Sequence, residues 1–257
     1  MADMIMVEPI ALSHAGAFPN YTVSRGANAA NLIENDPREV FKDTGVLSNY
    51  EIDIDFGLNT SWDSIYLINV SASANSTWSV SGGAEFISTT YMPAQVLRML
   101  SEDGLDTSGP ARFYSPNVII GRRIRITIST VELPAHSIGR LVVGRSFKPS
   151  FPREFGAGRP PIDTGVRTRL ENGGLAAASG HLLSGFKWVF GDLDRADLKR
   201  LWGMFRRLRT TEPLILDEDP TENCAENVHY GTFIDLEMYD RQDTSKSRMA
   251  MSIEDWV

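Results

Sequence analysis

Three carboxylates, Glu51, Asp53 and Asp55, alternate with Tyr50, Ile52, Ile54 and Phe56. Oxygen ligands of this kind suit Ca²⁺, but alternate residues on a flat strand do not wrap a cation as a loop does, and a solvated strand face accounts for them. A second acidic cluster, Asp217, Glu218, Asp219 and Glu222, lacks EF-hand spacing. It reads either as a solvent-facing loop or as a salt-bridging surface for a neighbouring subunit. The histidines, His14, His136, His181 and His229, lie too far apart in sequence for a local zinc motif. Cys224 near His229 suggests a thiol nucleophile, but no third, orienting group is identifiable. There is no GxSxG, HExxH or phosphate loop, and the glycine-rich Asn172–Gly180 stretch has neither GxGxxG nor a following lysine. No residue is assigned as catalytic, cofactor-binding or metal-ligating.

Two further sets of residues suit binding. Arg195, Lys199, Arg200, Arg206, Arg207 and Arg209 give one helical segment a basic side. The acidic stretch that follows and the overall acidity favour protein–protein electrostatics over nucleic acid. The candidate assembly surface is therefore Leu198, Trp202, Arg206, Arg207 and Arg209 with Asp217 and Asp219. A sugar site needs an aromatic platform beside fixed polar groups. Of Trp62, Tyr66, Trp78, Tyr91, Phe113 and Tyr114, only Trp62 and the Phe113–Tyr114 pair sit in loop-like context, and these three are the candidate glycan contacts.

The elements that position these residues follow from periodicity. Tyr50 to Phe56 alternates as a half-buried strand closed by Gly57, and Ser64 to Val70 and Thr77 to Ser81 read as further strands. Met92 to Met99 is strand or short helix, and Leu100 to Pro110 is a loop. Ile124, Ile126 and Ile128 alternate with Arg123, Arg125 and Thr127, and Arg140 to Val143 follows as another strand. Four prolines between Ser146 and Pro161 mark an ordered crossover. Beyond it, Val166 to Leu170, Gly185 to Phe190, His229 to Tyr239 and Arg248 to Ile253 read as strands. The one helix, Arg195 to Arg209, carries an apolar stripe of Leu198, Leu201, Trp202, Phe205 and Leu208, with Asp194 as its cap.

The chain has 257 residues and a formal charge of −8, from 33 acidic and 25 basic residues. That balance argues against steering toward nucleic acid or an anionic membrane. A single cysteine excludes an intrachain disulfide. The N-terminus lacks a basic leader followed by an apolar run, and no apolar stretch is long enough to cross a bilayer, so a soluble chain with no membrane insertion is expected.

Asn31-Leu32, Asp36-Pro37, Phe41, Gly45, the strand ending Ile54-Asp55-Phe56-Gly57, and Ile65 to Asn69 resemble the start of a discoidin-like jelly roll. Arg123-Ile124-Arg125-Ile126 and Ile138 to Gly144 resemble its later strands. In that pattern Asp55 orients the turn at Gly57 by bonding to backbone N–H groups. With the proline-rich crossover, Phe186-Lys187-Trp188, a Trp-bearing helix and an acidic DxDP loop, the whole arrangement resembles minor tail proteins of long-tailed bacteriophages, most of all distal tail proteins.

The resemblance implies a mainly β chain: an N-terminal arm or edge strand of the assembly domain over residues 1–24, a jelly-roll β-sandwich over 25–145, a crossover over 146–165, and an α+β assembly domain over 166–257, an antiparallel sheet with one helix. It further implies a non-enzymatic virion subunit of the tail tip or baseplate, assembled in the host cytoplasm. Such a subunit forms a homo-oligomeric ring, a hexamer, between tail tube and hub proteins. The alternative is a carbohydrate-binding module contacting a cell-surface glycan; a hydrolase has only the acidic surface in its favour.

Overall fold

The computed structural model describes residues 4–43, 49–101, 108–129, 136–169, 171, 173–180, 182–234, 239–241 and 245–256. Gly45, the 102–107 part of the expected loop, Asn172, His181 and residues 235–238 of an expected strand lie outside them. The chain is mainly β and divides into two units, the larger formed by Ala2–Lys148 with Ile215–Val228.

The larger unit is a jelly-roll sandwich built on β1 (Ile5–Pro9), β2 (Asn20–Val23), β3 (Asn49–Ser71), β4 (Thr77–Gly83), β5 (Thr89–Val96), β6 (Ser108–Ser129) and β7 (Arg140–Phe147). In the first half of β3, Tyr50, Ile52, Ile54 and Phe56 are buried and the carboxylates between them are not, as the period-two pattern predicts. Each such side chain contributes about 1.5–3 kcal/mol by leaving water.

The strand does not stop at Gly57. That residue takes φ 78°, the register against β6 shifts between Asp55 and Thr60, and β3 continues to Ser71. Its first half pairs with β2, its second half with β7, and its whole length with β6, whose own second half pairs with β4. Both long strands therefore serve two sheets, β2-β3-β6-β4-β5 and β1-β7-β3-β6. One core joins them, with Ile52, Ile126 and Val80 from one sheet and Leu67, Leu141 and Val143 from the other.

The carboxylates of β3 face arginines of β6. Arg125 donates to both oxygens of Asp53 at 2.7 Å and approaches Glu51 at 3.0 Å; Arg122 donates to Asp55 at 2.7 and 3.0 Å. Asp55 also accepts the Gly57 N–H at 2.7 Å, the turn-setting bond expected of it. The Arg122 hydrogen bond holds the Asp55 carboxyl below its ordinary range.

The smaller unit, Pro149–Leu214 with His229–Val257, contains β8 (Pro161–Asp163), the exposed hairpin β9 (Val166–Arg169) and β10 (Leu175–Ala178), β11 (Leu182–Leu193) and α1 (Arg195–Leu208). After α1 the chain forms β12 (Leu214–Asp217), whose Ile215–Asp217 pairs with β1 in the sandwich. It then returns as β13 (Val228–Phe233) and β14 (Ser247–Asp255). β14 lies antiparallel between β11 and β13.

Asp194 caps α1 by accepting the Asp197 N–H at 2.7 Å. The buried stripe of α1 is Leu201, Met204, Phe205 and Leu208, leaving Leu198 and Trp202 half-buried at its margin. Phe205 meets Phe233 of β13 edge-on at 4.5 Å. Among the described residues, no helix is long and apolar enough to cross a membrane.

The division departs from the expected one at two places. The N-terminal segment belongs with the sandwich, because β1 pairs with β7 on one side and β12 on the other. Residues 215–228 rejoin the sandwich for the same reason.

Candidate functional site

The sandwich carries a groove of about 550 Å³ between β4, the β5 segment, the start of β6 and the loop after β12. Its apolar floor is Trp78, Phe113, Met92 and Leu97, all buried; Trp78 and Phe113 point inward from β4 and β6 at period two. Tyr91 and Tyr114 are half-buried beside them, and Gln95 and Asn223 are exposed at the margin. Burial pushes the Tyr91 hydroxyl up, so it stays neutral and both donates and accepts.

The loop is held in place by Arg112. Its Nη1 donates to Asp217 Oδ2 at 3.0 Å and to the Asp219 carbonyl at 3.2 Å, and its Nη2 donates to the Glu222 carbonyl at 2.6 Å. The Tyr66 hydroxyl donates to Asp217 Oδ2 at 2.8 Å. Asp219 accepts from the Thr221 amide at 2.9 Å and hydroxyl at 2.6 Å, a tight turn that places Pro220 and Asn223 on the groove. Burial works against the charge of Asp219, yet the Thr221 bonds hold its carboxyl below the ordinary range.

The sequence-derived candidates are redistributed. Phe113 and Tyr114 line the groove, but Trp62 does not touch solvent; it stands behind them, with ring centroids 5.4 Å from Tyr91 and 5.9 Å from Phe113. Its loop-like context misled because β3 continues through Gly57 and buries it. Asp217 is likewise no surface residue: it is fully buried and paired with Arg112, and Asp219 is turned into its own loop. Leu198, Trp202, Arg206, Arg207 and Arg209 lie on or at the end of α1 in the other unit, the three arginines exposed.

Tyr91, Gln95 and Asn223 were not singled out as site residues, although the strand alternation around Met92 could have drawn attention to the first two. The thiol of Cys224 donates to Glu226 at 3.0 Å, and His229 Nδ1 lies 3.1 Å from Asp255, so neither forms the suggested nucleophile–base pair within these contacts.

No family model and no curated protein matches the chain. Solved structures do match. A Ruminococcus gnavus GH29 fucosidase in complex with fucose aligns over 49% of this chain with 16% identity and a TM-score of 0.38, and the alignment spans only 25% of the fucosidase. The family 32 carbohydrate-binding module from Clostridium perfringens NanJ in complex with galactose aligns over 48% of this chain and 90% of its own, with 13% identity and a TM-score of 0.38. The lectin domain of lectinolysin with Lewis B antigen aligns over 49% of this chain and 92% of its own, with 16% identity and a TM-score of 0.36.

The expectation of a phage tail-tip or baseplate subunit does not stand: the three chains named are a fucosidase, a carbohydrate-binding module and a lectin domain, none of them a tail protein, and likenesses of this degree bear on the fold alone. The burial of Asp217 removes part of the ring surface on which that reading relied.

Proposed function

We propose that the sandwich unit is a carbohydrate-binding module, non-catalytic, that contacts a surface-displayed glycan through the groove beside Tyr91 and Tyr114. The observation that carries the reading is the juxtaposition of aromatic ring surface with two side-chain amides at one groove. A pyranose presents C–H groups on one face and hydroxyls around its edge. The first suit an aromatic ring; the second suit amides and phenols that donate and accept. The volume falls within the roughly 300–1,000 Å³ of small-molecule clefts. Glycoside hydrolysis asks instead for two carboxyl side chains flanking the bond; among the described residues the charged side chain lining the groove is Arg112, with its Nη groups turned to Asp217 and loop carbonyls.

A glycan array with the full chain, followed by calorimetry on the strongest hit, tests the proposal. Tyr91→Ala and Asn223→Ala should each weaken binding by roughly tenfold, about 1.4 kcal/mol. Absence of saturable binding to any glycan, or a hit indifferent to both substitutions, would overturn it.

A further inference from the structure

A second cleft, of about 380 Å³, lies in the smaller unit at the C-terminal end of α1 and is lined by Trp202, Phe205, Arg206, Arg209 and Thr210. Its aromatic side is braced. Phe205 is buried against Phe233, and Trp202 meets Phe205 and Tyr239 edge-on at 6.2 and 6.0 Å. Its other side presents two exposed guanidiniums, those of Arg206 and Arg209.

Cations at a helix C-terminus are ordinarily explained by its unpaired carbonyls. Here backbone donors already take two of those carbonyls: the Arg209 N–H reaches Phe205 at 2.8 Å and the Glu212 N–H reaches Leu208 at 3.0 Å. Neighbouring cations of the same unit are matched to carboxylates, Arg248 to Glu154 and Lys246 to Asp192. Among the described residues Arg206 and Arg209 have no such partner. Arg209 also holds φ 54° and ψ −141°, a backbone conformation rare for a side chain of its size.

We propose that this cleft binds a ring-bearing carboxylate, its anionic group taken by Arg206 and Arg209 and its ring set against Trp202. A carboxylate accepts from two guanidiniums at once, and the indole supplies a flat apolar surface. A uronic acid and an aromatic acid share this chemistry, and the probes separate them. This site is independent of the sandwich groove.

Calorimetry with the full chain would use sodium glucuronate, sodium benzoate, sodium acetate and glucose. At least one ring carboxylate should bind saturably, more tightly than acetate by roughly tenfold, while glucose does not compete; which one binds identifies the source. Arg206→Gln and Arg209→Gln, at exposed positions, should each weaken it by roughly tenfold, the loss expected of one charge-assisted bond. The perturbation of the Trp202 indole N–H resonance should follow the same order. No saturable binding of either ring carboxylate, binding unchanged in both variants, or acetate binding equally well would overturn the proposal.

Discussion

Asp217 has no exposed surface, and its partner Arg112 is about one-tenth exposed. An ion pair this deep gains little over an apolar pair of similar shape, but removing one partner strands the other charge. Asp217→Ala should therefore lower the unfolding free energy by about 3–5 kcal/mol. The double variant Asp217→Leu, Arg112→Met should recover much of that loss in a double-mutant cycle by urea denaturation. A single-variant loss under about 1 kcal/mol would contradict the assignment.

Burial outweighs the Arg112 charge and the Tyr66 hydroxyl and raises the Asp217 carboxyl. Its linked contribution is full in acid and fades as the pH rises through that raised value. His136 has the opposite sign. Burial lowers it, against the pull of Asp43 and with the push of Arg25, and its Nε2 sits 2.7 Å from the Ser76 hydroxyl. The folded protein favours the neutral ring, so stability is full above the ordinary histidine value and falls as the pH drops from there toward the lowered one. Unfolding free energies measured between about pH 8 and about pH 5 should decline, and His136→Gln should flatten that decline.

Between elements, apolar packing outweighs charge. The Asp53–Arg125 pair leaves its side chains 40% and 35% exposed, so Asp53→Ala should cost no more than about 1 kcal/mol. Ile126, fully buried on the other face of β6, should cost about 2–5 kcal/mol when replaced by alanine. Comparable losses in denaturant titrations would refute this ranking.

The same strands show what sequence conveys. Tyr50 to Phe56 and Ile124 to Ile128 announce their buried faces by period two, and α1 announces itself by its apolar stripe. The continuation of β3 through Gly57 is hidden, because a glycine that ends a strand and one that bends it present the same residue. Trp202 reads as core from spacing alone, yet Met204 occupies the buried position while the indole stays half-exposed at the cleft.

At the level of the whole molecule, the sandwich is discontinuous in sequence, since Ile215–Val228 completes it from beyond the smaller unit. A chain ending at Lys148 loses the β12 partner of β1 and the acceptor of both Tyr66 and Arg112. It should aggregate or lack near-ultraviolet dichroism, and a monomeric two-state folder from size exclusion and denaturation would contradict the division. This discontinuity also explains why the groove was only partly legible. Its walls come from Trp78, Tyr91, Arg112 and Asn223, and no local pattern ties Arg112 to an aspartate 105 residues away. An acidic loop reads as solvated until the distant guanidinium that buries it is known.

Because β3 and β6 run uninterrupted through both sheets, the two layers are stitched by covalent chain as well as by packing. A tensile load applied to one layer passes into the other along these strands. Under such a load the β3–β6 ladder should shear before one layer peels from the other, a difference that single-molecule pulling would read.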